Sequence, residues 1–251
     1  MKTRVVLIIL LLSAWASGAP AAEEQNDPLE LFIKAGFAYK DGDYAAAAKI
    51  YEQILASGVE SGPLYFNLGN AYFKQNKYGM AVLNYERARR LLPRDSDVAA
   101  NYQFALNTVQ AVPLPPRGAL ARLFDRHIRF YTMNEMILIV TALFLAGLYV
   151  WLWAGMRGWP PRRVFLVLGI IAALEAVHVI GLAAAVEARK NTAVMVAAAD
   201  ALFEPRDKAT VYFSLTEGSC VHIVGREGLW LKVRRPDGKT GWVPSGNAAE
   251  I

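Results

Sequence analysis

The chain has 251 residues, of which 55% are apolar, 20% charged and 11% aromatic, and its mean hydropathy is +0.23. These values exclude a disordered chain. The apolar fraction and the mean hydropathy are too high for a purely soluble protein, so we expect a membrane portion. A single cysteine excludes an internal disulfide framework, and three histidines far apart in the sequence argue against a dedicated metal cluster.

The formal net charge of +5 is unevenly distributed along the chain. The excess of Lys and Arg lies in residues 1–22 and 111–190, whereas residues 23–110 and 191–251 are close to neutral. Basic residues beside apolar segments orient helices in a bilayer and contact lipid headgroups. The charge therefore indicates contact with a lipid bilayer, and we expect no nucleic-acid partner.

Residues 1–21 have the organisation of a secretory signal peptide. Lys2 and Arg4 precede an apolar run, Val5–Leu12, that is too short to span a bilayer. Ala19–Ala21 fits the small-x-small cleavage pattern, and Ala16–Gly18 is a second candidate. An uncleaved anchor is the alternative, and with either outcome the segment that follows is expected to be exported.

Residues 23–110 contain an internal repeat. Tyr44, Ala47 and Tyr51 recur at one constant spacing as Tyr78, Ala81 and Tyr85, while Gly36 and Tyr39 recur at a slightly shorter spacing as Gly69 and Tyr72. The unequal spacing predicts that the first helix–helix turn is one residue shorter than the second. The pattern resembles the tetratricopeptide repeat, a helix-turn-helix unit, and Asp97–Val109 is predicted as a further helix that caps it. An unrelated bundle of four or five helices is the alternative.

The resemblance to tetratricopeptide repeats implies a protein-binding groove. The positions that usually face ligand correspond here to Ile33, Phe37, Phe66, Asn70, Phe73, Lys74 and Phe104. An asparagine among aromatic rings can hold the backbone of an extended peptide while the rings accept its side chains. The alternative is that some of these rings are core beneath the capping helix.

Residues 111–132 are predicted to be a linker followed by an interfacial helix. The proline-rich segment 112–118 indicates a stiff spacer, with an SH3 ligand as the weaker alternative. In Ala119–Tyr131 the apolar residues share one face and arginines occupy the rest. This pattern favours a helix that lies on the membrane surface, and a simple extension of the next helix is the alternative.

Residues 133–187 contain two apolar segments, Met136–Met156 and Val164–Val186, each long enough to cross a bilayer. Their connector, residues 157–163, has three arginines and no acidic residue, so the positive-inside rule places it in the cytoplasm. The domains on both sides of the hairpin would then be periplasmic. The arginines just before the first segment oppose this orientation, but the signal peptide and the basic turn favour it.

Glu175 lies in the middle of the second apolar segment, with His178 one turn further on the same side. Ionisable groups at that depth usually face protein and hydrogen-bond a partner, and the surrounding small residues suit close helix contact. We interpret the pair as a site for packing or for docking a partner's span, with Glu175 bonded either to His178 or to that partner. A transport or proton-relay role is the alternative.

Residues 191–251 contain short β-branched and apolar runs that are separated by glycine turns, which predicts a small β-barrel. Glu217-Gly218, Trp230–Val233 and Asp237–Pro244 resemble a bacterial SH3-like domain, with Asp-Gly supplying a hairpin turn. Cys220 and His222 fall within a predicted strand. We interpret Cys220 as a packed thiol, and a redox thiol is the alternative.

The sequence lacks a phosphate-binding glycine loop, a nucleophile elbow and an HExxH motif. We therefore predict a non-catalytic binding protein that needs no cofactor. The predicted fold class is a multidomain membrane protein with an all-α repeat domain, a two-helix transmembrane hairpin and a small all-β barrel.

The order of these parts resembles the BatE family, the repeat proteins of the Bacteroides aerotolerance operon. The closest segments are Leu64–Lys74, Asn84–Pro93 and Asp237–Pro244. The resemblance implies an inner-membrane scaffold that works in the periplasm with von Willebrand A-type membrane proteins and a MoxR-type ATPase in oxygen or stress tolerance. An envelope protein that binds peptidoglycan peptides through its SH3-like domain is the alternative.

Overall fold

The computed structural model describes residues 27–109 and 118–251. Within these ranges the chain forms eight α-helices and one antiparallel sheet of seven strands. The predicted signal peptide (residues 1–21) and most of the proline-rich spacer lie outside the described residues, so both stay predictions. The predicted fold class, helical repeats with two long apolar helices and a C-terminal antiparallel sheet, is confirmed.

Five helices form the N-terminal part. They are α1 (Pro28–Lys40), α2 (Tyr44–Ala56), α3 (Gly62–Lys74), α4 (Tyr78–Leu91) and α5 (Ser96–Thr108). Helices α1, α3 and α5 each have 13 residues, and their first residues are evenly spaced along the chain. Helix α5 is therefore the first helix of a third, incomplete repeat, which agrees with the predicted capping helix.

Short polar side chains fix where these helices begin. Asp27, Asp43, Ser61 and Asp95 each accept a hydrogen bond from a backbone N–H in the first turn of the helix that follows. The first N–H groups of a helix have no partner within the helix, so these caps satisfy donors that would otherwise be lost. Small and aromatic side chains then fill the space between helices, with Ala35, Ala47 and Ala81 fully buried.

The predicted difference in turn length is wrong, because the turns Asp41–Asp43 and Gln75–Lys77 are equally long. The middle residues, Gly42 and Asn76, both have positive φ, at 82° and 60°. Ring contacts show the same period as the helices. Phe32 packs on Tyr51 and Phe66 on Tyr85, with centroids 5.6 and 6.0 Å apart, and Tyr39 packs on Tyr44 and Phe73 on Tyr78, at 5.1 and 5.2 Å.

The structural counterpart of Gly69 is therefore Ala35 and not Gly36. A Cβ atom added at Gly69 would lie 2.7 Å from a ring carbon of Tyr85, so this position lets α3 and α4 approach closely, as the sequence indicated. A Cβ at Gly36 would contact nothing within 4 Å. Matching identical residues placed the first helix one position out of register.

Three helices follow the spacer: α6 (Ala119–Phe130), α7 (Met133–Arg157) and α8 (Pro161–Arg189). Thr132 and Glu135 form a reciprocal capping box at the start of α7, and Gly158, with φ of 62°, ends it. Both α7 and α8 are long and apolar enough to cross a membrane, and only 6% of the most apolar stretch of each is buried. That exposure distinguishes them from core helices of a soluble protein. Helix α6 packs against α8.

The C-terminal sheet contains the strands β1 (Thr192–Met195), β2 (Ala199–Leu202), β3 (Val211–Leu215), β4 (Cys220–Glu227), β5 (Trp230–Arg234), β6 (Thr240–Pro244) and β7 (Ala248–Glu250). Their order across the sheet is β3-β2-β6-β5-β4-β1-β7, and all pairings are antiparallel. The Asp237-Gly238 turn joins β5 to β6 as predicted, with Gly238 at φ of 90°. The sequence did not predict β2 or β7, since both are rich in alanine, which is a poor strand former.

The sheet packs directly on the repeat helices. Val194 of β1 is fully buried within the apolar core of the repeats. A Cβ at Gly79 of α4 would lie 2.7 Å from the carbonyl oxygen of Met195, so helix and strand backbones are in close contact. Arg87 and Arg90 donate hydrogen bonds of 2.8 and 3.0 Å to the main-chain oxygens of residues 250 and 251.

The repeats and the sheet both lie at one end of the α7–α8 hairpin. Arg94, in the turn between α4 and α5, forms an ion pair of 2.6 Å with Glu135 at the start of α7. Helix α8 ends at Arg189, and β1 begins soon afterwards at Thr192. Of the residues that the structure describes, the other end of the hairpin carries only the short connector between α7 and α8.

Candidate functional site

The predicted groove residues divide into two neighbouring patches. Ile33 and Phe37 of α1 are 51% and 61% exposed, and they line a shallow cleft with Asn67 of α3. Exposed apolar side chains of this size are candidates for contact with another protein. Asn67 was missed by the sequence analysis, although Asn101 occupies the same position of the next repeat.

The second patch lies between α3 and α5. Phe104 is 62% exposed, and its ring packs 5.5 Å from that of Phe73. Lys74, which follows Phe73 at the end of α3, is exposed. Phe73 and Phe66 are only partly exposed and pack against the apolar core of the repeats. The structure therefore places Phe104 at the surface and gives Phe66 and Phe73 a role in packing.

Asn70 takes part in hydrogen bonds within the repeats. Its Oδ1 accepts bonds from the hydroxyl of Tyr85, at 2.8 Å, and from Nδ2 of Asn101, at 2.9 Å. The oxygen thus connects α3 to α4 and α5. Burial raises the pKa of Tyr85, so its hydroxyl stays protonated and remains a donor. The amide group of Asn70 can still donate to a ligand.

Glu175 and His178 lie on α8, and both side chains are half-buried. Nδ1 of His178 is 2.9 Å from the carbonyl oxygen of Leu174, and its ring packs 5.2 Å from the ring of His127 in α6. No hydrogen bond or ion pair joins Glu175 to any residue in 27–109 or 118–251. The suggested bond between Glu175 and His178 is absent from this part of the chain.

The contact between His127 and His178 was not foreseen, because the two residues are far apart in the sequence. Tyr131 completes the cluster, with its ring 5.3 Å from His127 and 6.4 Å from His178. Nε2 of His127 is buried and has no hydrogen-bond partner among the described residues. Only the packing of α6 against α8 brings these rings together. Within the described ranges, no three His, Cys, Asp or Glu side chains could hold a metal ion.

Cys220 lies in β4 at the junction with the repeats. Its Sγ is 3.8 Å from the hydroxyl of Tyr102 in α5. Burial, and then the negative charge of Glu86, raise the pKa of the Cys220 thiol. A raised pKa lowers the fraction of reactive thiolate, which favours the packed-thiol interpretation over the redox alternative.

Comparison with known families identifies two segments. Residues 63–95 match the tetratricopeptide repeat, and residues 203–248 match the bacterial SH3 domain. No curated protein matches the chain. Both modules are typically non-catalytic, and they indicate binding of proteins or of peptidoglycan. The match at residues 63–95 covers α3 and α4, the second of the two complete helical repeats.

Proposed function

We propose that the protein is a membrane-anchored scaffold of the bacterial envelope that binds other proteins and catalyses no reaction itself. The observation that supports this most is the common core of the repeats and the sheet at one end of a two-helix hairpin. Such a body holds its exposed apolar residues at a fixed height above the bilayer. Both modules belong to interaction families, which is consistent with a scaffold.

We further propose that both soluble parts are periplasmic and that residues 157–163 are cytoplasmic. The signal-like N-terminus and the three arginines of the connector motivate this orientation. The position of both soluble parts at one end of the hairpin is consistent with it. Alkaline phosphatase fused after Gln110 or after Ile251 should be active at both sites, and activity of a cytoplasmic reporter at either site would contradict the model.

The proposed partners follow from the resemblance to the BatE family. They are membrane proteins with von Willebrand A-type domains, together with a MoxR-type ATPase, in a complex linked to oxygen or stress tolerance. Ile33, Phe37 and Phe104 are the exposed residues best placed to contact such a partner. Truncation of a large side chain at the centre of an interface often lowers the free energy of binding by more than about 1 kcal/mol.

The experiment is affinity capture of the full chain in mild detergent. A variant with Ile33→Ser, Phe37→Ser and Phe104→Ser should recover at least about fivefold less of the von Willebrand A-type partner. Leu229→Ser is the control, since Leu229 is 80% exposed in the turn between β4 and β5. Recovery of no such partner by the unaltered protein, or an equal loss with the control, would reject the proposal.

Peptidoglycan binding by the sheet is a second candidate function. Phe203 and Tyr212 form an exposed aromatic pair with ring centroids 4.5 Å apart, at the β2–β3 edge of the sheet. The bacterial SH3 match includes both residues. If this surface binds cell-wall peptides, the protein should sediment with purified peptidoglycan, and Phe203→Ser with Tyr212→Ser should abolish sedimentation. Unchanged sedimentation of that variant would exclude the aromatic pair.

A further inference from the structure

A cavity of about 820 Å³ lies where the repeats, α6, the end of α8 and the sheet meet. The repeats, α6, α7, α8 and the sheet all contribute to its walls, so the cavity exists only in the assembled protein. It lies at the end of the hairpin that carries the soluble parts, at the level where α7 begins and α8 ends. A site at this level is within reach of lipid headgroups.

The cavity is rich in positive charge. Among the described residues, six Lys or Arg side chains and three acidic side chains line it. Glu86, which is 7% exposed, binds Arg89 through both carboxylate oxygens at 2.7 and 2.6 Å and Arg90 at 3.4 Å. The single carboxylate of Glu86 therefore pairs with two guanidinium groups, and the side chains that line the cavity keep an excess of positive charge.

Arg189 is one of the basic residues that line the cavity. It is half-buried, lies beyond the end of the apolar span at Glu187, and forms no salt bridge with any residue in 27–109 or 118–251. Burial, and then the like charge of Arg90, lower the pKa of Arg189, although a guanidinium remains protonated in proteins. Arg234 of β5 also lines the cavity and likewise has no carboxylate partner among the described residues. An anion would offset this repulsion.

Apolar residues also line the cavity. Ile128 of α6, Met136 of α7 and Ala184 and Ala185 of α8 line it, and Met136 is 3% exposed. Met136, Ala184 and Ala185 belong to the two helices that continue into the proposed bilayer, and Ile128 belongs to the helix predicted to lie on its surface. A cavity lined by both basic and apolar residues, at the level where the long apolar helices begin and end, fits an amphipathic ligand.

We propose that this cavity binds the phosphate headgroup of an anionic phospholipid, with Arg189 and Arg234 as ligands of the phosphate and the acyl chains against Ile128 and Met136. Arginine binds phosphate through paired hydrogen bonds, which makes it well suited to this role. The bound lipid would fill the space between the repeats and the sheet. It would thereby fix the soluble body against the membrane surface.

The test uses the full-length protein in dodecyl maltoside and measures bound lipid per chain by native mass spectrometry. Phosphatidylglycerol should occupy the first site at least about tenfold more tightly than phosphatidylcholine with the same acyl chains. Arg189→Gln with Arg234→Gln should remove this preference. Arg189→Lys with Arg234→Lys keeps the charge and should retain most of it.

The control is Arg162→Gln with Arg163→Gln, which removes the same charge at the opposite end of the hairpin and should leave the preference intact. Circular dichroism and gel filtration establish that each variant is folded. An equal loss in both glutamine pairs would show general charge attraction and overturn the proposal. So would equal affinity for the two lipids. Inorganic phosphate that binds as tightly as phosphatidylglycerol would assign the site to a soluble anion and overturn the lipid assignment.

Discussion

The hydroxyl of Tyr85 donates a hydrogen bond of 2.8 Å to Oδ1 of Asn70, and this bond joins the two helices of the second repeat. Tyr85 is 2% exposed, and Asn101 donates to the same oxygen from the third repeat. The asparagine that the sequence assigns to a ligand groove is thus also a structural connection. Asn70 is therefore a poor choice for a variant meant to change binding alone.

We expect Asn70→Ala to lower the free energy of unfolding of the repeats by about 1–3 kcal/mol, because it leaves the buried hydroxyl of Tyr85 without its acceptor. Urea unfolding followed by circular dichroism measures this change. Lys74→Ala is the matched control, since Lys74 is exposed on the same helix and should change stability by no more than about 0.5 kcal/mol. Equal stability of the two variants would contradict a structural role for Asn70.

The two helical glycines of the first and second repeats should respond oppositely to alanine. Gly69→Ala places a Cβ 2.7 Å from the ring of Tyr85, so we expect a loss of about 1–3 kcal/mol from overpacking. Gly36→Ala meets open space and should stabilise the helix by about 0.5–1 kcal/mol. Thermal unfolding of the two single variants tests both signs. A stabilising Gly69→Ala would mean that α3 and α4 can separate without cost.

The sequence predicted the helices because their apolar spacing, caps and loops are local features. It misplaced the first helix by one residue because Gly36 and Tyr39 match Gly69 and Tyr72 in identity, whereas packing needs only a small residue and an aromatic ring. Ala35 and Gly69 are both small, and Tyr39 and Phe73 are both aromatic. The contacts that define a repeat therefore depend on whether a side chain is small or aromatic, and not on the identity of the residue.

The junction of the repeats with the sheet could not be predicted from sequence. It depends on contacts between residues far apart in the chain, such as Gly79 with Met195 and Tyr102 with Cys220. Glycines at such contacts look like ordinary helix or turn glycines in the sequence. The same reasoning applies to His127 and His178, which meet only because α6 folds back on α8.

The close approach of α4 and β1 predicts that Gly79→Ala loosens the junction. A Cβ there would lie 2.7 Å from the Met195 carbonyl and 2.8 Å from that of Val196, and backbone cannot move aside as a flexible side chain can. The N–H of Gly79 also donates to Glu217 at 3.2 Å. Hydrogen exchange should increase at least about tenfold in β1 but not in α7. Unchanged exchange in β1 would show that the two parts associate without this contact.

Cys220 should react slowly with thiol reagents in the folded protein. Its pKa is raised by burial and by Glu86, so at mildly alkaline pH we expect maleimide labelling at least about tenfold slower than in denaturant. Because the folded pKa is above the unfolded value, the stability associated with the thiol is present below the unfolded pKa and is lost as pH rises through the folded pKa. Tyr102→Ala should accelerate labelling because it opens access to the thiol, and we expect this to outweigh the lost Tyr102 hydrogen bond, which lowers the pKa of Cys220. Fast labelling of the unaltered protein would instead support the redox alternative.

Glu175 has no hydrogen bond or ion pair within residues 27–109 and 118–251. That its carboxyl group docks a partner's span stays a prediction, which two substitutions test. Glu175→Gln keeps a hydrogen-bonding side chain without the charge, so it should preserve co-purification of a membrane partner. Glu175→Leu removes the polar contact and suits the bilayer better, so the protein should still insert. We expect Glu175→Leu to reduce partner recovery at least about threefold, because that is the typical contribution of one interhelical hydrogen bond to helix association in a membrane.

The two substitutions together separate the roles that Glu175 could have. If the carboxyl group docks a partner, Leu weakens recovery while Gln does not, because a carboxamide can still form the hydrogen bond. If it only affects packing within the hairpin, Leu changes the thermal stability of the detergent-solubilised protein and leaves recovery unchanged. A proton relay requires titration of the carboxyl group, so Gln would be as damaging as Leu. Equal behaviour of the unaltered protein, Gln and Leu would show that the bilayer segment tolerates Glu175 without using it.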